Sequence, residues 1–385
     1  MKILHIVPCY KPAYKYGGPI NSVSKLCELL TEKGTYLKVL TTTGNGTEEL
    51  DVETEKEIIV DTVPVIYFKR YTKNNTFISP DLWKYLYRHV NEYDIVHIHT
   101  WWNILVLFSA MICYLKGVKV IISPRGMLCD YIFNGNNHFI KKCIHVFLGK
   151  SLLRRSRFHA TAIMEYGECE KLIPGWEGFT VPNILPLNGP PIQKKPNEVF
   201  TIIFLSRIDP KKGLEFVFEA MSKLRVDVKL QIFGTGNPEY IADLKQLASD
   251  IKIESKIEWK EWASSATKFQ QLMDADLCIL TSYNENFGNV IVESLYMGTP
   301  VLITDLVGLS SFVKINDLGW VVPLDINIIT NTILQATLDT EKRDRINKTS
   351  REITEANFAE EILIDEYMRQ YQLLFDDRAV SVPRE

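Results

Sequence analysis

Cysteine is scarce in this 385-residue chain: seven residues, at 9, 27, 113, 129, 143, 169 and 278, with no CxxC pair. An odd, scattered set is neither a disulfide framework nor a zinc ribbon, and it predicts reduced thiols and a cytosolic setting. Long apolar runs are missing as well. The longest, Ile104 to Leu115, falls well short of the ~20 residues that a membrane span needs. The opening MKILHIVPCYKP is interrupted by Pro8 and Lys11 and has no small-residue cleavage site, so it does not read as a signal peptide. There is no short-period repeat, no low-complexity tract and no GxGxxG fingerprint of nicotinamide enzymes. What remains is ordinary globular composition, 46% hydrophobic and 24% charged, enough for two or three domains of ~150 residues.

Nor is there a strong excess of either charge, since the net value is -3. The halves differ, however. Residues 1–190 hold 22 Lys and Arg against 17 Asp and Glu; the remainder holds 22 against 30. No acid occurs from 131 to 164, while Lys141, Lys142, Lys150, Arg154, Arg155 and Arg157 fall inside that stretch. A local basic segment on an acidic protein argues against nucleic acid and for a phosphorylated substrate or an anionic membrane surface.

Short continuous apolar runs predict strands at Lys2–Pro8, Leu37–Leu40, Val65–Phe68, Ile95–Ile98, Val118–Ile122 and Phe158–Ala160. Helical spacing fills the gaps, as in Val23, Leu26, Leu29 and Leu30. The segment 182–198, with five prolines, reads as a linker. The pattern then restarts, with strands at Thr201–Leu205, Lys229–Phe233, Lys256–Trp259, Leu277–Leu280, Val301–Ile303 and Trp320–Val322. Such alternation predicts two doubly wound α/β domains, with ligands beyond the carboxyl ends of the strands.

The loops after those strands carry the chemistry. Glu285-Asn-Phe-Gly-Asn-Val-Ile-Val-Glu293 spans a strand-to-helix turn. Backbone N–H groups around Phe287, Gly288 and Asn289 would face an anion at a helix N-terminus. A carboxylate before the helix suits sugar hydroxyls, and one two turns inside suits a ribose. In Ser206-Arg-Ile-Asp-Pro-Lys-Lys-Gly213, Arg207 and Lys212 suit a pyrophosphate, although a solvated basic loop explains them as well. Gly17 and Gly18 allow close backbone approach, or merely a tight turn. His97 and His99 share one face of a strand, which a metal could use, but no third ligand is evident and structural histidines fit better. Trp101 and Trp102 could stack on an acceptor sugar or pack in the core. Asp276 reads as structural.

These motifs, in this order, resemble the retaining glycosyltransferases of family 4, over nearly the whole chain from Lys2 to about Pro323. SPRGML at 123–128 and FHATAIMEYGE at 158–168 resemble segments of that family's N-terminal domain. The resemblance implies a GT-B fold, two Rossmann-like domains facing each other across a cleft: 1–185 for the acceptor, a linker at 186–198, 199–358 for the nucleotide sugar, and 359–385 as a helix that could return to the first domain. It implies that Glu285 binds the donor sugar, Glu293 the ribose, and Arg207 and Lys212 the diphosphate, with Gly234 bordering the base. Where many relatives carry a histidine, Arg125 stands; it is placed near a donor or acceptor phosphate without an acid–base role.

The activity so implied is transfer of a hexose from a nucleoside-diphosphate sugar to a glycan or lipid-linked hydroxyl, with retention, in bacterial surface polysaccharide synthesis. UDP-sugars rank first as donors, no cofactor or metal is called for, and the setting is cytoplasmic, with peripheral contact at the inner membrane face through 139–157. A sugar-nucleotide 2-epimerase, a phosphorylase on the same fold and a non-catalytic sugar-nucleotide-binding protein are the alternatives.

Overall fold

Lys2–Ile6 (β1) is buried along nearly its whole length, because helices cover both faces of a parallel sheet. In a computed structural model, described over residues 1–129, 141, 142, 144–263 and 267–377, β1 lies in the first of two units. That unit comprises Met1–Pro186 and the C-terminal stretch from Glu360; the second is Leu187–Ala359.

In the first unit β1 is followed by Gly18–Glu32 (α1), Tyr36–Thr42 (β2), Glu57–Val60 (β3), Val63–Phe68 (β4), Pro80–His89 (α2) and Ile95–His99 (β5). Then come Ile104–Lys116 (α3), Lys119–Ser123 (β6), Lys150–Arg154 (α4), Arg157–Ala160 (β7), Ile163–Leu172 (α5) and Gly178–Thr180 (β8). The eight-stranded sheet has the order β8-β7-β6-β5-β1-β2-β4-β3, parallel except for β3 on β4. Its core runs through Leu4, Ile6, Leu40, Phe68, Ile98 and Phe158. β3 and β8 escape sequence reading because edge strands need no continuous apolar run; Ile59 of β3 is exposed. Helix α3 shows local control of its ends. Asn103 accepts a hydrogen bond from the Val106 N–H at 2.9 Å, and Gly117 closes the helix at φ 69°.

The spacing of Ile144, Phe147 and Leu148 predicts one apolar helical face, but His145–Gly149 forms a single π-helical turn. The extra residue rotates the stripe. Ile144 and Leu148 reach the core, whereas Val146 and Phe147 are 66% and 83% exposed. Phe139 and Ile140, part of the same expectation, lie outside the described residues.

The second unit contains Phe200–Leu205 (β9), Leu214–Lys223 (α6), Val228–Phe233 (β10), Pro238–Asp250 (α7), Ile257–Lys260 (β11), Lys268–Asp274 (α8) and Leu277–Leu280 (β12). It continues with Asn289–Tyr296 (α9), Val301–Thr304 (β13), Ser310–Ile315 (α10), Gly319–Val322 (β14), Ile326–Leu338 (α11) and Thr340–Phe358 (α12). Its six strands are all parallel, in the order β11-β10-β9-β12-β13-β14. The two doubly wound sheets are those of the GT-B class.

Of the expected linker, 186–198, the residues from Leu187 onward belong to the second unit. Arg351 donates to the carbonyls of Gly189 and Pro190 at 3.2 and 2.9 Å. Lys194 donates to the Ala275 carbonyl, and burial lowers its ammonium pKa to about 8. Prolines lack N–H groups, so such a segment can be pinned through its carbonyls. The final helix, Glu360–Asp376 (α13), belongs to the first unit, where Lys25 meets Glu360 at 2.8 Å and Lys33 meets Asp365 at 3.0 Å. Among the described residues no helix is long and apolar enough to cross a membrane.

Candidate active site

In each sheet the strand order reverses between two neighbours, β9 and β12 in the second unit, β1 and β5 in the first. Beyond the carboxyl ends of such a pair the following loops diverge and leave a crevice.

In the second unit the loops after β9 and β12 interlock. The Tyr283 N–H donates to the Lys211 carbonyl at 3.0 Å, and the Thr281 hydroxyl to the Gly213 carbonyl at 2.8 Å. A Cβ on Gly213, which sits at φ 64°, would come 2.3 Å from the Thr281 oxygen, so only glycine permits this approach. The outcome is a direct ion pair between Lys212 Nζ and Glu285 Oε2, residues 73 apart in sequence. The backbone of Glu285 is held on both sides, its N–H donating to Leu306 O at 3.1 Å and its carbonyl accepting from Gly308 at 2.7 Å. Gly288, at φ 90°, then turns the chain into α9, which begins at Asn289. Glu293 lies near the middle of that helix, nearly buried, with Lys268 Nζ 2.6 Å from its Oε1. Arg207 stands exposed on the same loop as Lys212, with no hydrogen bond or ion pair among the described residues.

Two expected site residues also have packing reasons for their identity. Phe287 is 2% exposed and its ring meets that of Phe358 edge-on at 6.1 Å, so the ring is packing. A Cβ on Gly234 would lie 2.0 Å from the Ser206 carbonyl, where the loops after β9 and β10 cross. Asp276 is structural, accepting from the Thr201 N–H at 2.9 Å. Lys268 was missed because nothing in its local sequence distinguishes it from a surface lysine.

In the first unit Gly17, at φ 72°, caps α1, and Gly18 is its first residue. A Cβ on Gly17 would meet nothing within 4 Å, so the backbone angle, not space, requires glycine there. Arg125 also adopts a left-handed conformation, φ 55°, unusual for a residue with a side chain. That turn is held by the buried Glu165, which accepts from the N–H groups of Gly126 and Thr161, both at 2.7 Å. The Arg125 guanidinium donates to Asn183 Oδ1 and lies 3.5 Å from His99 Nδ1.

Behind Arg125 lies a fully buried network. Strand pairing sets His5 beside His97. His5 Nδ1 meets His99 Nε2 at 3.0 Å; His97 bonds Tyr371 at 2.7 Å and Ser123 at 2.6 Å; Ser123 reaches His159 at 2.6 Å. Burial, reinforced by Arg125, holds His5 and His159 at pKa about 3 and lowers His97 and His99 well below the ordinary value. All four are therefore neutral at pH 7.

His5 is the third imidazole that the sequence does not reveal, with one ring nitrogen from each of the three within 4.8 Å of the others. Metal chemistry fits this trio poorly. Both nitrogens of His97 are engaged in hydrogen bonds, and the neighbouring guanidinium would oppose a cation. Of the two tryptophans weighed for a sugar, Trp101 is fully buried in the core, and Trp102 donates to the Met127 carbonyl at 2.6 Å.

The sequence matches a family described as glycosyl transferases group 1 over residues 189–353, and one described as glycosyltransferase family 4 over residues 16–166. It is 27% identical over 175 residues to the lipopolysaccharide core biosynthesis glycosyltransferase LpsE of Rhizobium meliloti, covering 45% of this chain and 50% of that one. The chain spans half or less of the length of the first curated relatives it matches. Sucrose-phosphate synthase from Thermosynechococcus elongatus has a similar fold, with a TM-score of 0.78 over 99% of this chain and 100% of that one, at 17% identity. Anabaena HepE in complex with UDP-glucose has a TM-score of 0.74 over 97% and 99%, at 18% identity.

Proposed function

The chain belongs to the family 4, group 1 glycosyltransferases, and from that premise we propose that it moves a hexose from a nucleoside-diphosphate sugar to a hydroxyl of a glycan or lipid-linked acceptor. The observation that carries this reading is the set of charges in the second unit: Lys212 on Glu285 just before α9, Lys268 on Glu293 within it, and the exposed Arg207, without a partner among the described residues. Arg207 and Lys212 hold the diphosphate, Glu285 the sugar, and Glu293 the ribose. The N–H groups of Phe287, Gly288 and Asn289 supply partial positive charge and Gly234 borders the base; in the first unit Gly17 and Gly18 bind substrate and Arg125 a donor or acceptor phosphate.

The acceptor oxygen forms its bond to the anomeric carbon as the bond to the leaving phosphate breaks on the same face, so configuration is retained. The departing phosphate oxygen takes the acceptor's proton. Charge growing on that phosphate is stabilised by preorganised cations and N–H groups, a device that needs no metal. UDP-sugars rank first; the UDP-glucose held by HepE supports that order, and LpsE supports a surface polysaccharide product.

A panel of UDP-, GDP- and ADP-sugars tests the assignment. Nucleoside diphosphate should be released only when an acceptor is present, the new linkage should keep the donor's anomeric configuration, and EDTA should leave the rate unchanged. Acceptor-independent release, or an inverted product, would defeat it.

The same reading places the protein at the inner face of an anionic membrane. Lys142, Val146, Phe147, Lys150 and Arg154 are all exposed around the π-helical turn, a mixture of basic and apolar groups suited to a lipid surface. Basic residues near such a surface contribute ~1 kcal/mol each. Co-sedimentation with vesicles should require anionic lipid, fade with added salt and weaken in Phe147→Ser. Equal recovery on neutral vesicles would reduce this face to a solvated helix.

A further inference from the structure

We propose that Lys268 is a positioning residue that sets Glu293 to read the ribose hydroxyls, so that the site prefers ribonucleoside over 2′-deoxyribonucleoside diphosphates. The inference rests on the assignment of Glu293 to the ribose.

Glu293 comes from the interior of α9, and its side chain is only 10% exposed. A carboxylate so enclosed has lost most of its water and needs a hydrogen-bonding partner in exchange. Lys268 meets that need at 2.6 Å, itself only 15% exposed. It bonds Oε1 alone, while Oε2 has no hydrogen bond among the described residues. The carboxylate is thus tethered through Oε1, with its second oxygen left to accept from a hydroxyl.

The placement of the lysine supports a role beyond helix stability. Lys268 is the first residue of α8, where no acid occupies the first turn. A cation at a helix N-terminus opposes the positive end of the macrodipole. The ion pair with Glu293 offsets that cost, joining the start of α8 to the middle of α9. A lysine there makes sense as a partner for the carboxylate.

The test measures affinity for UDP, GDP and ADP by calorimetry, followed by the 2′-deoxy counterpart of the best binder. The unmodified protein should prefer the ribonucleotide by about tenfold or more, as expected for a hydrogen bond to a charged group. Lys268→Met should lower ribonucleotide affinity and collapse the preference toward unity, with little change for the deoxynucleotide. Lys268→Arg should restore much of the preference, and KM for the donor should move more than kcat. A Glu293→Gln variant separates the two levels of the argument. If neither the unmodified protein nor this variant shows any dependence on the 2′-hydroxyl, the ribose assignment fails. If Glu293→Gln collapses the preference while Lys268→Met keeps it, the positioning role of Lys268 fails. Thermal melting of each variant guards against unfolding, and a Lys268→Met protein that melts early yet keeps the preference also overturns the proposal.

Discussion

Lys212→Ala should lower turnover by about 30- to 1000-fold, a loss of ~2–4 kcal/mol, with little effect on folding. The lysine faces a leaving diphosphate whose negative charge grows as the sugar departs, so its removal weighs more on the transition state than on the bound donor. Arg207→Ala should behave alike. Glu285→Gln is the informative companion. In the structure Lys212 is already engaged by Glu285, so an arriving diphosphate must compete with that carboxylate. The amide keeps the shape and removes the charge. Transfer should be lost, because the sugar loses its carboxylate, yet free nucleoside diphosphate should bind as tightly as before or up to about fivefold tighter. That bound reflects the ~0–1 kcal/mol of a partly exposed ion pair. Near-normal turnover in Lys212→Ala would remove the diphosphate assignment. Weakened diphosphate binding in Glu285→Gln would show that the two residues do not compete.

Acidification should destabilise the first unit steeply. His5 and His159 are held at pKa about 3 by burial, whereas in the unfolded chain they titrate near 6.5. Between those values the unfolded chain binds more protons, so stability rises with pH across this window and is lost as pH falls below about 6.5. Each of the two imidazoles costs ~2 kcal/mol between pH 7 and pH 5, and His97 and His99 act in the same direction. Against total stabilities of ~5–15 kcal/mol this is a large fraction. Melting temperature should drop markedly from pH 7 to pH 5, and His159→Gln should flatten the slope by about one proton. A melting temperature independent of pH over that range would contradict the neutral, buried network.

Sequence alone determined the two parallel sheets, because a strand buried on both faces must be apolar throughout, and runs such as Ile202–Leu205 and Leu277–Leu280 carry that demand in their composition. It also nominated Glu285, Arg207 and Lys212 as candidates, since ligand-binding loops follow the carboxyl ends of such strands, and Glu293 by its spacing from Glu285. Edge strands such as Glu57–Val60 were illegible, their burial being partial. Pairings were equally hidden. The meeting of Lys212 with Glu285 depends on loops that interlock across a strand crossover, and that of Lys268 with Glu293 on the packing of α8 beside α9. The third histidine, His5, joins His97 and His99 only because β1 pairs with β5 in register. The outward turn of Phe147 follows from one π-helical residue that no 3.6-residue periodicity anticipates. Periodicity and motif order are properties of neighbouring residues and are written along the chain. Which distant charge faces which is decided by sheet register and loop crossing, which exist only after the chain has folded.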